Sequence, residues 1–449
     1  MTSRFWWTSA LLAGIACAAF VLWRSVNAPL GFAAQQVTLT NGTVLRLVSV
    51  QHGKTHLDPF SPPWKQWMSR LPEPWTRKLK LNLPANLNTS GSNSVLSVWL
   101  TSSKAAANPN QQSFGVLIGD DSGNFAGSSS GFGFSNGKTP VVPHYEGHLM
   151  SVFPRRSPEL RIRIYDSPWS RGNFLHEFRI RNPGLVPLDE TPPPVALPLP
   201  QPQSAGDLEA TLTSLTVGPS DGWQPTDTNV YRRARLEFTC RQAGQPTTNW
   251  VAYHVREATD ATGNSTDGNN WNHGWSEDRT FVSFARWPLP ESEPWKMKVE
   301  FCQRAGFPTN ELWEARNIPI LTNSAKFPAL TNQLSGARIV IERLGPPEHG
   351  SYAHSDTHSI ELEVMAGSKP DDRRWHLTIA RAVDSTGREV TANSWSGSDD
   401  DRTFSFNVST NATSLDVWIA YAPSRLLEFT AQPTKMSNKP DKRNPAPAP

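Results

Sequence analysis

The sequence predicts an all-β protein: tandem antiparallel β-sandwiches of immunoglobulin-like layout behind one N-terminal transmembrane helix. Three observations point there. Apolar triplets of period two recur along the chain, 39 of the 449 residues are proline, and a single uncharged apolar run opens the sequence. Proline interrupts helices, and period-two burial belongs to strands, so a long helical bundle is excluded. Forty-three basic against 40 acidic residues leave a net charge of +3. That excess is too small and too dispersed for a nucleic-acid footprint. The length exceeds one hydrophobic core, because domains run to roughly 100 to 200 residues.

Residues 5–23 form the apolar run, bracketed by Arg4 and Arg24 with Trp6, Trp7 and Trp23 near its ends. A stretch of about 20 such residues spans the hydrocarbon core of a bilayer. A stable anchor, a cleaved signal peptide and a lipoprotein signal on Cys17 compete. The run continues past Cys17, and the best small-x-small site, at Gly31 to Ala33, lies beyond its end, so the anchor is favoured. Residues 1–35 are therefore read as a transmembrane anchor with a juxtamembrane segment, and the bulk of the chain is placed on the extracytoplasmic side.

Residues 36–183 are expected to form a β-rich domain with a short helical insertion. Its strands are signalled by Phe114, Val116, Ile118 and by Leu160, Ile162, Ile164, and its helix by Ser61-Pro-Pro-Trp64 followed by Trp67, Met68 and Leu71. Residues 184–206 are rich in proline and read as an extended linker, about which the first domain can move. Residues 434–449 carry Lys435, Lys439, Lys442 and Arg443 among prolines, the composition of a disordered basic tail.

Self-similarity organises the remainder. An offset of 124 between 207–322 and 334–433 pairs Leu236, Phe238, Cys240 with Ile360, Leu362, Val364, and Val251, Tyr253, Val255 with Trp375, Leu377, Ile379. It also pairs Asp260-Ala-Thr-Gly263 with Asp384-Ser-Thr-Gly387 and Trp271 with Trp395. One deletion later, Asp278-Arg-Thr-Phe281 meets Asp401-Arg-Thr-Phe404. Two β-sandwich repeats result, and each Asp-x-x-Gly is a turn.

Chemistry is sparse. His52 and His56, then His144, Glu146 and His148, then His349, His354, Asp356 and His358 cluster in sequence, but neighbouring glycines place them on loops or strand ends, where tips do not converge on zinc. No cofactor is expected; the metal candidate is calcium at acidic turns, from Asp384, Asp399, Asp400 and Asp401 in the last repeat, with Asp260, Glu277 and Asp278 as the corresponding set in the earlier one. Cys240 and Cys302 lie in opposite strand phases, which argues against a disulfide. Gly127-Ser-Ser-Ser-Gly131 fits Gly-x-Ser-x-Gly, but no strong helix follows it and the run to Phe134 reads as a hairpin loop. His-Glu-x-x-His and the complete Gly-x-x-x-x-Gly-Lys-Ser/Thr phosphate loop do not occur, so the chain is not read as an enzyme. Trp271 and Trp275, beside Asn269, Asn270, Asn272 and His273, form the best sugar-stacking loop, because indole rings cover a pyranose face at small entropic loss.

The run Leu39-Thr-Asn-Gly-Thr-Val-Leu-Arg-Leu-Val-Ser-Val-Gln-His-Gly-Lys-Thr-His56, continuing to Trp64 and Trp67, resembles the start of a group of uncharacterised bacterial exported or membrane-anchored β-rich proteins. That group has no established activity, so the resemblance implies location and fold and no catalytic residue. The expected function is a structural or protein-interaction scaffold of the cell envelope, with a carbohydrate-binding surface protein as the alternative. The expected partners are the membrane, through residues 5–23, and a protein or glycan of the envelope, with no nucleic acid.

Overall fold

The computed structural model describes residues 35–53, 55–56, 87–88, 95–103, 114–121, 125–127, 130–134, 144–166, 174–219, 232–266, 270–284, 292–322, 328–347, 357–367, 374–397 and 401–435. The anchor run 5–23, the helical insertion at 61–71 and the tail beyond 435 lie outside them. Among the described residues no helix is long and apolar enough to cross a membrane. The protein is all-β with several sheets, antiparallel but for one two-residue parallel pair; a single 3-10 turn, Thr309–Glu311, is its one helical element among the described residues.

Three two-sheet units follow one another. In the first, a sheet ordered Gln35–Thr38, Val44–Gly53, Val95–Ser102, His144–Met150, Ser130–Phe134 faces one ordered His176–Arg181, Glu159–Tyr165, Gly115–Gly119, Phe125–Gly127. Alternate residues of both close the core: Leu45, Leu47, Leu96, Val98 and Leu100 meet Val116, Ile118, Leu160, Ile162 and Ile164. In the second, Gln201–Ala205, Leu208–Pro219, Arg232–Gln242, Thr280–Phe284, Asn270–Trp275 face Ser265–Thr266, Trp250–Thr259, Trp295–Gln303, Arg425–Ala431. In the third, Leu330–Leu334, Ala337–Gly345, Thr357–Ala366, Asp401–Ser409, Ala392–Gly397 face Leu312–Pro319, Ser414–Pro423, Trp375–Asp384.

The repeat is visible in the pairing. Arg232–Gln242 and Thr357–Ala366 are both central strands with the same neighbours in order, and Leu236, Phe238, Ile360 and Leu362 are fully or almost fully buried. Gly263 and Gly387 close the two Asp-x-x-Gly turns at φ of 85° and 87°, a region where a Cβ is costly.

The ends of the repeats do not follow the boundaries at 322 and 334. The last strand of the earlier copy, Leu312–Pro319, pairs with Ser414–Pro423 of the later one, while the last strand of the later copy, Arg425–Ala431, pairs with Trp295–Gln303 of the earlier. Each copy is thus completed by the other. Thr434–Lys435 extends the exchange by pairing in parallel with Leu208–Pro219. Period-two patterning states which face of a strand is buried and is silent on which equivalent edge it joins.

The constant offset also fails locally. Strand Trp250–Thr259 carries two bulges against its partner, between Ala252 and His254 and between Val255 and Glu257, whereas Trp375–Asp384 carries one. The extra residue shifts the phase, so Trp250 and Ala252, not Val251 and Tyr253, enter the core of the second unit, and Trp250 is the counterpart of Trp375. Likewise Phe404 pairs with Trp395 but Phe281 pairs with Gly274, leaving Trp271 at a bulge between Asn270 and Asn272. Trp271 is therefore not in the register of Trp395.

The proline-rich stretch 184–206 is fastened to the units on both sides. Arg156 donates through Nη1 to the carbonyls of Val186 (3.0 Å) and Pro187 (2.9 Å), and through Nη2 to Thr191 (2.6 Å). Val186 N–H donates to the Arg155 carbonyl (2.8 Å) and Leu197 N–H to that of Thr430 (3.2 Å), and Gln201–Ala205 is a strand of the second unit. Proline removes backbone donors but leaves every carbonyl free to accept, which is what the arginine uses.

Candidate functional site

Trp275 ends the strand Asn270–Trp275, next to the four-residue turn 276–279, in which Ser276 N–H donates to the Arg279 carbonyl at 2.8 Å. It is 51% exposed, the second most exposed of the large apolar side chains outside the proline-rich stretch being well below it at 45%. The Arg304 guanidinium lies 4.5 Å from the ring centroid, and its Nε–H donates to the Thr248 carbonyl at 2.7 Å, so the ring is backed and held. Beside it opens a small recess with room for about one water-sized group, lined by Thr247, Thr248, Trp250, Asp278 and Arg279 among others. Of the two tryptophans singled out from sequence, Trp275 has a half-exposed ring beside this recess; the side chain of Trp271 lies outside the described residues.

Trp250, which sequence reading passes over, is the tryptophan that joins Trp275 in this cleft. The bulges described above turn it inward, and nothing in the pattern of apolar residues announces them. Cys240 also lines the cleft; burial pushes its thiol up to about 12, and it is unreactive at neutral pH. Cys240 and Cys302 are both buried, and no disulfide joins them.

The acidic residues do not converge. Asp384 Oδ1 accepts from Thr386 N–H (3.0 Å), Thr386 Oγ1 (2.5 Å) and Arg388 N–H (3.1 Å), and Oδ2 from Ser409 N–H (3.1 Å) and Ser409 Oγ (2.7 Å). Its oxygens are committed to closing a turn. Asp401 begins the strand whose far end is Ser409, eight residues and roughly 27 Å away. The calcium set is corrected on that ground, since Asp384 and Asp401 cannot share an ion; Asp399 and Asp400 lie outside the described residues. Among the described residues no three His, Cys, Asp or Glu side chains could hold a metal.

The histidines take structural places. Glu146 and His148 form a pair at 3.1 Å inside the first unit, with Phe114 N–H donating to the same carboxylate (3.3 Å). His52 packs edge-on against Phe153 at 5.5 Å. His56 and His144 are described by their backbones alone, His349, His354 and Asp356 lie outside, and His358 sits near the start of Thr357–Ala366.

A denser polar cluster, unseen in the sequence, fills the junction of the second and third units. His376 packs on Tyr253 at 4.4 Å, Tyr253 on His273 at 4.8 Å, and Arg402 faces both nitrogens of His376 at 3.4 and 3.3 Å. Arg256 pairs with Glu300, which accepts from Ser424 Oγ at 2.5 Å. Burial, then the Arg402, His273 and Arg256 charges, hold His376 well below the ordinary histidine range; burial, then His254 and Arg402, lower His273. A guanidinium only donates, so the His376 ring is kept neutral to accept.

The chain matches no protein-family model, and no curated protein matches it. The geometry alone carries the functional reading.

Proposed function

We propose that this chain is a single-pass membrane protein of the cell envelope whose exported, immunoglobulin-like tandem sandwiches act as a structural or protein-interaction scaffold. The observation that supports this reading is the way the units are joined. The second and third complete each other by exchanging end strands, and the first is latched on by Arg156, paired with Glu293 at 2.8 Å, and by a second contact. In that contact Asn264 Oδ1 accepts from Phe153 N–H (3.3 Å) while its Nδ2 donates to the Phe153 carbonyl (3.1 Å), as a strand neighbour would. Val152 enters the core of the second unit beside them. A body fixed at each junction transmits position and load, which suits a scaffold more than a string of mobile modules.

The test is membrane fractionation of the full chain carrying a C-terminal tag, combined with protease accessibility. Retention of the tag with membranes through a carbonate wash, with cleavage only from the extracytoplasmic side, is the expected result. Release of the tagged chain into the soluble cytoplasmic fraction would overturn the reading.

A further inference from the structure

Trp250 is 3% exposed, and its indole N–H has no hydrogen-bond partner among the described residues. A buried donor left without an acceptor is costly, and the recess that Trp250 lines has room for one oxygen-sized group. At the mouth stands the Trp275 ring, held from behind by Arg304. Asp278 and Arg279, 71% and 51% exposed at the side chain, form the rim; their contact with each other (3.4 Å), that of Arg279 with Glu237 (3.8 Å) and that of Ser276 Oγ with Asp278 (3.3 Å) are long and leave acceptor and donor capacity open to a ligand.

These features select a ligand class. An apolar compound finds a charged rim and a recess far too small to enclose it. A simple anion or cation finds Asp278 and Arg279 side by side, cancelling. A sugar ring offers what the cleft lacks: an apolar C–H face for the indole and hydroxyls that both accept from an N–H and pair with a carboxylate and a guanidinium. Nor does the fold require the platform, because Ser396, which faces Thr403, occupies in the third unit the register that Trp275, facing Thr280, has in the second.

We propose that this cleft binds one pyranose ring of a neutral saccharide chain, stacked on Trp275, with one hydroxyl accepting from the Trp250 indole N–H and others held by Asp278 and Arg279. The site is independent of the scaffold reading, and either can fail alone. Being shallow and single, it binds in the millimolar to high-micromolar range and depends on repeated sugars for avidity.

The experiment titrates the full-length chain with cello-, xylo- and chito-oligosaccharides to about 10 mM, following tryptophan emission and saturation-transfer NMR of the sugar. At least one series saturates. Trp275→Ala weakens it about tenfold or more, and Trp250→Phe, which keeps an aromatic ring and removes the N–H, weakens it roughly three- to tenfold, both variants melting as the parent does. The proposal is overturned if none of the three series saturates, if binding survives Trp275→Ala unchanged, or if Trp250→Phe binds as tightly as the parent.

Discussion

Asp384 and Asp260 show how one residue type, placed identically, is used for two ends. Asp260 Oδ1 accepts from Thr262 N–H, Thr262 Oγ1 and Asn264 N–H, and the turn so formed presents Asn264 to the first unit. Asp384 builds the same turn and spends its other oxygen on Ser409. Burial pushes the Asp384 carboxyl up, but the hydrogen bonds from Thr386, Ser409 and Arg388 outweigh it and hold the pKa at about 2. The depressed value means that the carboxylate contributes stability above its unfolded pKa, near 3.8, and loses it as the pH falls toward 2. Asp384→Ala therefore lowers the unfolding free energy of the third unit by about 1 to 2 kcal/mol at pH 7. Denaturant titrations of parent and variant should converge between pH 4 and 2; a gap that stays constant would reject this role for the charge.

Among the elements, the proline-rich stretch departs furthest from its sequence expectation. Composition predicts an extended spacer; the structure ties it down through Arg156, a single side chain 30 to 35 residues away from the carbonyls it holds. Arg156 and Glu293 are 15% and 8% exposed, so losing one leaves the other poorly solvated. Arg156→Ala is expected to weaken docking of the first unit by about 3 kcal/mol and to open residues 187–199 to proteolysis, with the melting of the other units unchanged. Equal cleavage rates in parent and variant would show that the latch does not restrain the segment. Strand identity was legible here: every apolar triplet lies in a strand, save that Phe114 falls one residue before Gly115–Gly119. The facing of Trp250 was not, because a bulge adds one residue without altering the alternation on either side of it.

Across the whole molecule, the exchanged strands make the second and third units one cooperative body. A chain ending at Pro423 loses Arg425–Ala431 and Thr434–Lys435, which belong by sequence to the last repeat and to the basic tail respectively and by pairing to the earlier repeat. Hydrogen exchange should then accelerate in Trp295–Gln303 more than in Thr357–Ala366; the reverse order would contradict the exchange. Acid provides a second test at this junction. His376 and His273 have folded pKa values below the unfolded value near 6.5, so the unfolded chain binds protons first and stability is lost as the pH falls below about 6.5. The groups around them are Arg402, Tyr253, His254, Arg256 and Glu300, and the three histidines and two arginines outnumber the one carboxylate. Between pH 6.5 and 5 the unfolding free energy from urea titration should drop, by up to about 1.4 kcal/mol per pH unit for each excluded proton, and His376→Phe should flatten the slope. A slope unchanged by that substitution would place the sensitivity elsewhere.

The amino-acid sequence by itself determined the all-β class, the strands, the internal repeat and the two Asp-x-x-Gly turns, because each depends on residues within a few positions of one another. Tertiary structure alone decided which copy each last strand completes, which residues of Trp250–Thr259 face inward, and that Trp250 and Trp275 share a cleft while Asp384 and Asp401 do not share an ion. Those outcomes depend on pairing between strands far apart in the chain, and equivalent edges in a repeat look alike to any local pattern. A bulge or an exchanged strand leaves the alternation intact while changing what each side chain meets.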